Sequence, residues 1–335
     1  MSYPTDDETR IVCNMGEEAG GKFSQPDPSL SSKSTTKNAS IYERWMSEVD
    51  GTVPEVLLQR SSLNLTSLKQ ARKIIEKGCC SLNGTLVRIA SQRVLKGDSL
   101  EVYPLDETWQ QEPCTILYED EHLYVINKPA GIAVDEESLI ATQALQVPFF
   151  LVHRLDKWTS GTLIVAKNEQ AQFKLENLFR QRSVKKQYLA LVDGIMEKKQ
   201  GEIDVSVVVK RRRQGELICG IDASDEKNKA LTRYKVILSM KKVSLLLVKP
   251  KTGRTHQVRV HLSSLGHPLL GDTQYAVSFR SMYRPYRQML HAWKILFSHP
   301  FSQKNIFIKA PLPQDFDKLA TSIFGEAFQE RLCEL

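Results

Sequence analysis

The sequence lacks any apolar run near the roughly 20 residues that a membrane-spanning helix needs. Its apolar-rich stretch at residues 243–248 is bounded by Lys241, Lys242 and Lys249, so no membrane partner is expected. The start, MSYPTDDETR, has neither the basic opening nor the apolar core of a secretory signal, which makes a cytoplasmic address the default. Cysteine is sparse: Cys13, Cys79, Cys80, Cys114, Cys219 and Cys333 are scattered and form no C-x-x-C pair. Neither a zinc knuckle nor a disulfide framework is suggested, and reduced thiols are expected. Also missing are G-x-G-x-x-G and a P-loop, so nucleotide cofactors have no signature. No fixed-period repeat is visible.

What is present is a soluble globular composition, 41% hydrophobic and 25% charged over 335 residues, long enough for about two domains. The formal net charge of +7 is a weak pointer to nucleic acid, because the two signs are well mixed. Residues 1–40, ending QPDPSLSSKSTTKNAS, hold too few large apolar residues to offset the entropy of ordering a backbone and read as a flexible tail.

Residues 51–103 read as a small module. Thr66 is placed to cap a helix in which Leu68, Ala71, Ile74 and Ile75 recur at three- and four-residue spacing, and Gly78 is placed to end it. Lys69, Arg72, Lys73 and Lys77 lie opposite that stripe. Asn83-Gly84 between Leu82 and Leu86 signals a tight hairpin, and Lys96-Gly97-Asp98 turns into an alternating strand at 99–103. The run KQARKIIEKGCCSLNGTLVRIASQRVLKGDSLEVY resembles the α-L RNA-binding module named after ribosomal protein S-four. The resemblance implies that the basic helix lies on an RNA backbone; the residues alone also suit a solvated face. The module's usual basic opening is replaced here by VPEVLLQRS.

Residues 104–113 (PLDETWQQEP) read as a linker, residues 114–313 as a second domain, and residues 314–335 as a C-terminal extension. Strand-like stretches at 123–126, 149–152, 162–166, 188–192, 205–209, 232–238 and 243–248 are separated unevenly by turns and by helical patterns at 169–182 and 255–265. That spacing points to an α+β fold on a mostly antiparallel mixed sheet flanked by helices and loops, not to βαβ units.

Chemistry concentrates in two stretches. HRLDKWTSG (153–161) lies between FFLV and TLIVA, where a polar loop between buried strands can display Asp156 as a reactive carboxylate. The same residues suit a hydrogen-bonded turn through Asp156 and Thr159 or Ser160, with Arg154 as a surface partner. In TGRTHQVRVHL (252–262) Thr255 reads as an N-cap and Gly266 as a stop, with Val258, Leu262 and Leu265 facing inward. His256 and His261 are five apart, which puts them on different faces of a helix and opposite faces of a strand, so no metal site is expected. G-x-S-x-G is absent and Ser160 has no identifiable base, so a serine nucleophile has no support.

Five motifs follow in order: LYVINKPAG (123–131), HRLDKWTSG, KKQYLALVDG (185–194), TGRTHQVRVHLSSLGHPLLGD (252–272) and LHAWKILFSHP (290–300). Together they resemble the RluA-type family of RNA pseudouridine synthases, across nearly all of the second domain. An α-L module ahead of such a domain is the arrangement of that family's large-subunit ribosomal RNA enzymes. The resemblance implies an isomerase that turns uridine into pseudouridine without a cofactor, with RNA as partner and ribosomal RNA favoured over transfer RNA; a monomer is expected.

It also implies roles. Asp156 corresponds to the essential catalytic residue, Arg259 to its basic partner, whose guanidinium orients a carboxylate in a dry pocket, and Tyr188 to the ring that stacks on the target base. Arg154 corresponds to the side chain that enters the RNA as the base leaves its stack, a step costing a few kcal/mol. Arg254 belongs among the RNA contacts, and Lys210-Arg211-Arg212-Arg213 reads as a basic loop suited to phosphates or simply solvated. His153 and Lys128 belong to the motifs, where fixing a loop is an equal reading. The sequence departs from the family at 132–152, a compact stretch carrying Asp135, Glu136 and Glu137, which bears on target selection. Competing readings are an RNA-binding or ribosome-assembly factor on the same fold, and a glycoside hydrolase. The latter needs two carboxylates, and no second acid accompanies the Asp156 motif.

Overall fold

A computed structural model of the protein describes residues 42–104, 109–213 and 216–335. The tail expected at residues 1–40 lies outside the described residues.

The N-terminal part comprises β1 (Glu43–Met46), β2 (Gly51–Thr52), α1 (Val53–Gln59), α2 (Leu68–Glu76), β3 (Cys80–Leu82), β4 (Thr85–Leu86), β5 (Arg93–Val94) and β6 (Ser99–Val102). Its strands form an antiparallel sheet in the order β1-β6-β3-β4, with β2 paired to β5. Val56, Leu57, Ala71, Ile74, Ile75 and Leu100 share its apolar core. The stretch VPEVLLQ, which replaces the module's usual basic opening, is helical because Thr52 and Glu55 form a capping box and Pro54 occupies the first turn. The second helix is capped one residue later than expected: the Ser67 hydroxyl accepts the Gln70 N–H, while Thr66 donates to the Gln70 side chain. Leu68, at the helix's first position, stays exposed, whereas Ala71, Ile74 and Ile75 are buried. Asn83 and Gly84 both have positive φ, +50° and +76°, as a two-residue hairpin of the primed type requires.

The larger part comprises β7 (Thr115–Glu119), β8 (Leu123–Lys128), α3 (Glu136–Ile140), β9 (Phe150–Leu151), β10 (Ser160–Ala166), α4 (Glu169–Arg180), β11 (Lys185–Asp193), β12 (Gln200–Asp204), β13 (Ser206–Arg213), β14 (Glu216–Asp222), β15 (Leu231–Met240), β16 (Val243–Pro250), α5 (Gln257–Ser264), β17 (Leu290–Ser298), β18 (Asn305–Lys309), α6 (Gln314–Phe324) and α7 (Glu326–Cys333). A ten-stranded sheet runs β12-β15-β16-β11-β17-β10-β8-β7, with β18 beside β17 and β9 beside β10. Among the described residues only β10 and β17 pair in parallel; the α+β reading with a mostly antiparallel sheet therefore holds.

The run YLALV in β11 is continuous because both faces of the sheet are covered. Tyr188, Ala190 and Val192 join the core beneath the site, while Leu189 and Leu191 pack against Phe316, Ile323 and Phe328 of α6 and α7. The C-terminal extension thus closes one face of the sheet. The acidic stretch at 135–137 is a helix start: the Asp135 carboxylate accepts the Ser138 N–H at 2.8 Å, and Glu136 and Glu137 lie in the first turn. Lys210–Arg213, read as a loop, is part of β13 instead, paired with β14 across a bulge near Val209 and Arg211. The backbone ladder with β14 outweighs the local run of charge there. Of the stretch read as a linker, residues 105–108 lie outside the described residues; Glu112 accepts the Gln314 N–H that opens α6.

Gly161 is where the HRLDKWTSG stretch enters the sheet. Its φ is +115°, and a Cβ would stand 2.2 Å from the Ala292 carbonyl oxygen of β17. Gly161→Ala should therefore cost about 3 kcal/mol, against about 1–2 kcal/mol for Gly84→Ala, whose Cβ would meet nothing within 4 Å. Denaturant melts of the two variants check this; equal losses would contradict the close approach.

Candidate active site

Asp156 sits in the loop between β9 and β10, and its backbone is pinned from three sides. The Thr159 N–H donates to the Asp156 carbonyl at 3.0 Å, and the Gly131 N–H and Lys128 Nζ donate to the Lys157 carbonyl at 2.9 and 3.2 Å. Arg287 Nη1 donates to the Trp158 carbonyl at 3.1 Å. Lys128 is fully buried and also donates to the carbonyls of Pro129 and Ile132, at 2.7 and 2.9 Å. Burial, and then the Arg287 charge, push its pKa down to about 7. His153 Nε2 accepts the Ile164 N–H at 2.9 Å; burial, with Lys186 nearby, holds its pKa down to about 3. Both residues fix loops in this structure.

The second stretch enters the site through α5. The helix is capped by His256, in the left-handed region at φ 56°, and not by Thr255. Gln257 explains the shift. Its side chain accepts from the Arg254 N–H (3.0 Å) and the Thr252 hydroxyl (2.7 Å) and donates to the Thr232 hydroxyl (2.9 Å), a clip that replaces a hydroxyl cap. Val258 and Leu262 are buried as expected, but Leu265, at the helix end, is exposed.

This geometry carries Arg259 into the site. The residue is 7% exposed, and its guanidinium makes a two-pronged pair with Asp272, Nε to Oδ2 at 2.7 Å and Nη2 to Oδ1 at 2.9 Å, with a further bond to Gln274 at 2.7 Å. Nη1 is left facing Asp156 Oδ2 at 3.5 Å. Burial works against the Arg259 charge, but Asp272 and then Asp156 outweigh it and raise the pKa above its ordinary value. Gln288 Nε2 stands 3.4 Å from the same Asp156 oxygen and 3.0 Å from the Thr159 hydroxyl. His256 Nε2 stands 4.0 Å from Asp156 Oδ1, and its Nδ1 is 2.6 Å from the Tyr275 hydroxyl. Tyr188 is buried in β11, and burial followed by the Asp156 charge raises its pKa, so it presents a neutral phenol.

The second acid that the sequence reading did not find is therefore Asp272. Its Oδ1 also accepts the Gln274 and Tyr275 N–H groups, so both oxygens are engaged in holding Arg259. It is a positioning carboxylate, not the free second acid that hydrolysis needs. Asp272 closes the quoted motif LGHPLLGD and was legible there as a residue, though not as a partner. Gln288 precedes the motif LHAWKILFSHP by two positions and carried no signal. Ser160 does have a ring beside it, His291 Nδ1 at 2.9 Å, yet the two are 1% and 0% exposed, out of reach of substrate.

Asp156, Tyr188 and Arg259 line one cavity of about 1290 Å³. Eleven Lys and Arg side chains line it against three acidic ones, which suits a polyanion. Arg154 is exposed at its rim; Arg254 is exposed too and donates to the Lys227 and Lys229 carbonyls at 3.2 and 3.4 Å. Lys69, Arg72 and Lys73 lie on the exposed face of α2, whereas Lys77 is half-buried and lines the cavity itself. Among the described residues no group of three or more His, Cys, Asp or Glu side chains could hold a metal ion, and no helix is long and apolar enough to cross a membrane.

Residues 122–264 match the family described as RNA pseudouridylate synthase. The chain is 34% identical to the ribosomal large subunit pseudouridine synthase D of Nitrosomonas europaea, an alignment covering 92% of this chain and 95% of that one. It is 37% identical to an uncharacterized RNA pseudouridine synthase of Bacillus subtilis, over 72% of this chain and 89% of the relative. The solved structure of human RNA Pseudouridylate Synthase Domain Containing 1 is similar at a TM-score of 0.51 and 30% identity, over 63% of this chain and 94% of that one. Fold, site and relatives together define an RNA-modifying isomerase. The chain belongs to the RluA-type family of RNA pseudouridine synthases.

The neutral rings generate a pH prediction. For His153 and His291 the folded pKa lies near 3, below the ordinary histidine value of 6.5, so the unfolded chain binds protons first. The stability that these two rings contribute is complete above about pH 6.5 and is lost as pH falls toward 3. His153→Gln, which keeps an acceptor for Ile164, should show a shallower fall in melting temperature between pH 6.5 and 4. Parallel curves would contradict the buried neutral ring.

Proposed function

We propose that this synthase isomerises uridine in large-subunit ribosomal RNA, with Asp156 as the essential residue acting on a base flipped out of its stack. The observation that carries the reading is the Asp156 carboxylate, contacted by Arg259 Nη1 at 3.5 Å, in a cavity whose charged lining residues are mostly cationic. The names of the relatives in Nitrosomonas europaea and Zymomonas mobilis, ribosomal large subunit pseudouridine synthase D, favour that RNA as the target.

The reaction needs no net addition. The N1 to C1′ bond breaks, the uracil turns, C5 bonds to C1′, the C5 proton departs and N1 is left protonated. One carboxylate serves because no water is to be activated; the cavity must retain the detached ring and exclude water. Tyr188, buried and neutral, supports a role beneath the base, and Arg154, exposed two residues before Asp156, suits filling the gap that the flipped uridine leaves. Arg254 and the exposed Lys69, Arg72 and Lys73 would meet phosphates.

Carbodiimide mapping of pseudouridine in ribosomal and transfer RNA from cells with and without the protein tests this. Loss of one or a few large-subunit sites, restored by the unaltered chain and not by Asp156→Asn, is the expected outcome. Restoration by Asp156→Asn would remove the catalytic assignment, and loss confined to transfer RNA would overturn the target. Purified Asp156→Asn should keep RNA affinity within about tenfold, or 1.4 kcal/mol.

A further inference from the structure

Lys77, the C-cap residue of α2, is engaged by aromatic rings. Its Nζ lies 3.1 Å from the ring centroid of Tyr286 and 5.5 Å from that of Trp158. Trp109 stacks on Tyr286, centroids 4.8 Å apart and planes within 1°, and meets Trp158 edge-on at 5.5 Å. A cation so engaged is held by ring quadrupoles and is poorly placed to wait for a phosphate.

The residues that follow Tyr286 lead straight to the chemistry. Arg287 holds the Trp158 carbonyl, two residues beyond Asp156, and is anchored by Asp315 through Nε at 2.6 Å and Nη2 at 2.8 Å. Gln288 reaches the Asp156 carboxylate and Thr159. Three consecutive residues therefore touch the basic helix, the backbone of the reactive loop and its carboxylate. A second contact runs alongside. At Gly78, where φ is +68°, a Cβ would stand 2.5 Å from Thr273 Cγ2, and Thr273 follows the Asp272 that grips Arg259. The Leu86 N–H donating to the Val277 carbonyl at 2.9 Å and Arg284 lying 3.7 Å over the Tyr103 ring extend the same seam.

We propose that Lys77 and Tyr286 are positioning residues: they clamp the C-terminal end of α2 to the segment that holds Asp156, so that RNA gripped by the basic helix is presented at a fixed offset from the carboxylate. The proposal rests on the RNA reading above and adds that Lys77 acts through the reactive loop, not through a phosphate. At 1.5 Å per residue, Lys69 stands about 12 Å along the axis from Lys77, and a rigid helix sets that distance for the bound strand.

The test compares Lys77→Gln, Lys77→Arg, Tyr286→Leu and the triple change of Lys69, Arg72 and Lys73 to Gln, in the full chain on large-subunit RNA. The triple variant should weaken binding and flatten its salt dependence. Lys77→Gln and Tyr286→Leu should instead lower the single-turnover rate at saturating RNA about tenfold with the salt slope unchanged. Lys77→Arg, which keeps a cation over the ring, should recover most of that rate. A Lys77→Gln variant that loses affinity and salt slope at unchanged rate would be a phosphate contact and would overturn the clamp, as would one that changes nothing.

Failure of the functional reading would look different, because the unaltered chain would then turn over no RNA. The clamp is read separately from melting temperatures: the shifts of Lys77→Gln and Tyr286→Leu should be less than additive in the double variant. Additive shifts would contradict it.

Discussion

One guanidinium organises the site. Arg259 is buried, and a buried charge survives only where partners replace its water. Asp272 supplies two hydrogen bonds and Gln274 a third, which leaves one nitrogen to face Asp156. The division is asymmetric: the short, two-pronged bonds belong to Asp272, and the longer contact, at 3.5 Å, belongs to Asp156. A planar guanidinium can do both at once; a lysine ammonium could not reproduce the fork.

The fold is arranged to hold this contact. α5 brings Arg259 from one side because Gln257 clips its first turn to β15. The loop ahead of β10 brings Asp156 from the other, with its carbonyls tied by Lys128 and Arg287. Gly161 then lets β10 approach β17 closely. Behind them α6 and α7 close the far face of the sheet, so that the strand carrying Tyr188 is packed on both faces. The result is a cavity that places the Asp156 carboxylate among eleven Lys and Arg side chains, a charge balance that suits a polyanion.

Much of this was readable in the residues, and what was not has definite causes. Period-two and period-3.6 patterns located the strands and helices, and the glycines and Asn83-Gly84 located turns, because those signals are local. Lys210–Arg213 was misread because its charge suggested solvent, while the ladder with β14 decides its conformation. Thr66 and Thr255 were plausible caps displaced by one residue, since Gln70 and Gln257 offer competing side-chain partners. The role of Asp272 was invisible because it lies 13 residues from Arg259 and only the turn after α5 brings them together. Gln288 and Tyr286 are still harder cases, since their partners lie more than 100 residues away in sequence.

The most direct test of the central contact is the release of tritium from RNA labelled at uridine C5, in a single turnover at saturating Arg259→Gln protein. A rate at least about a hundredfold below that of the unaltered chain, the usual loss for one preorganised charged donor, with RNA binding retained, is the expected result. Tritium release at the full rate would contradict any dependence of Asp156 on the guanidinium beside it.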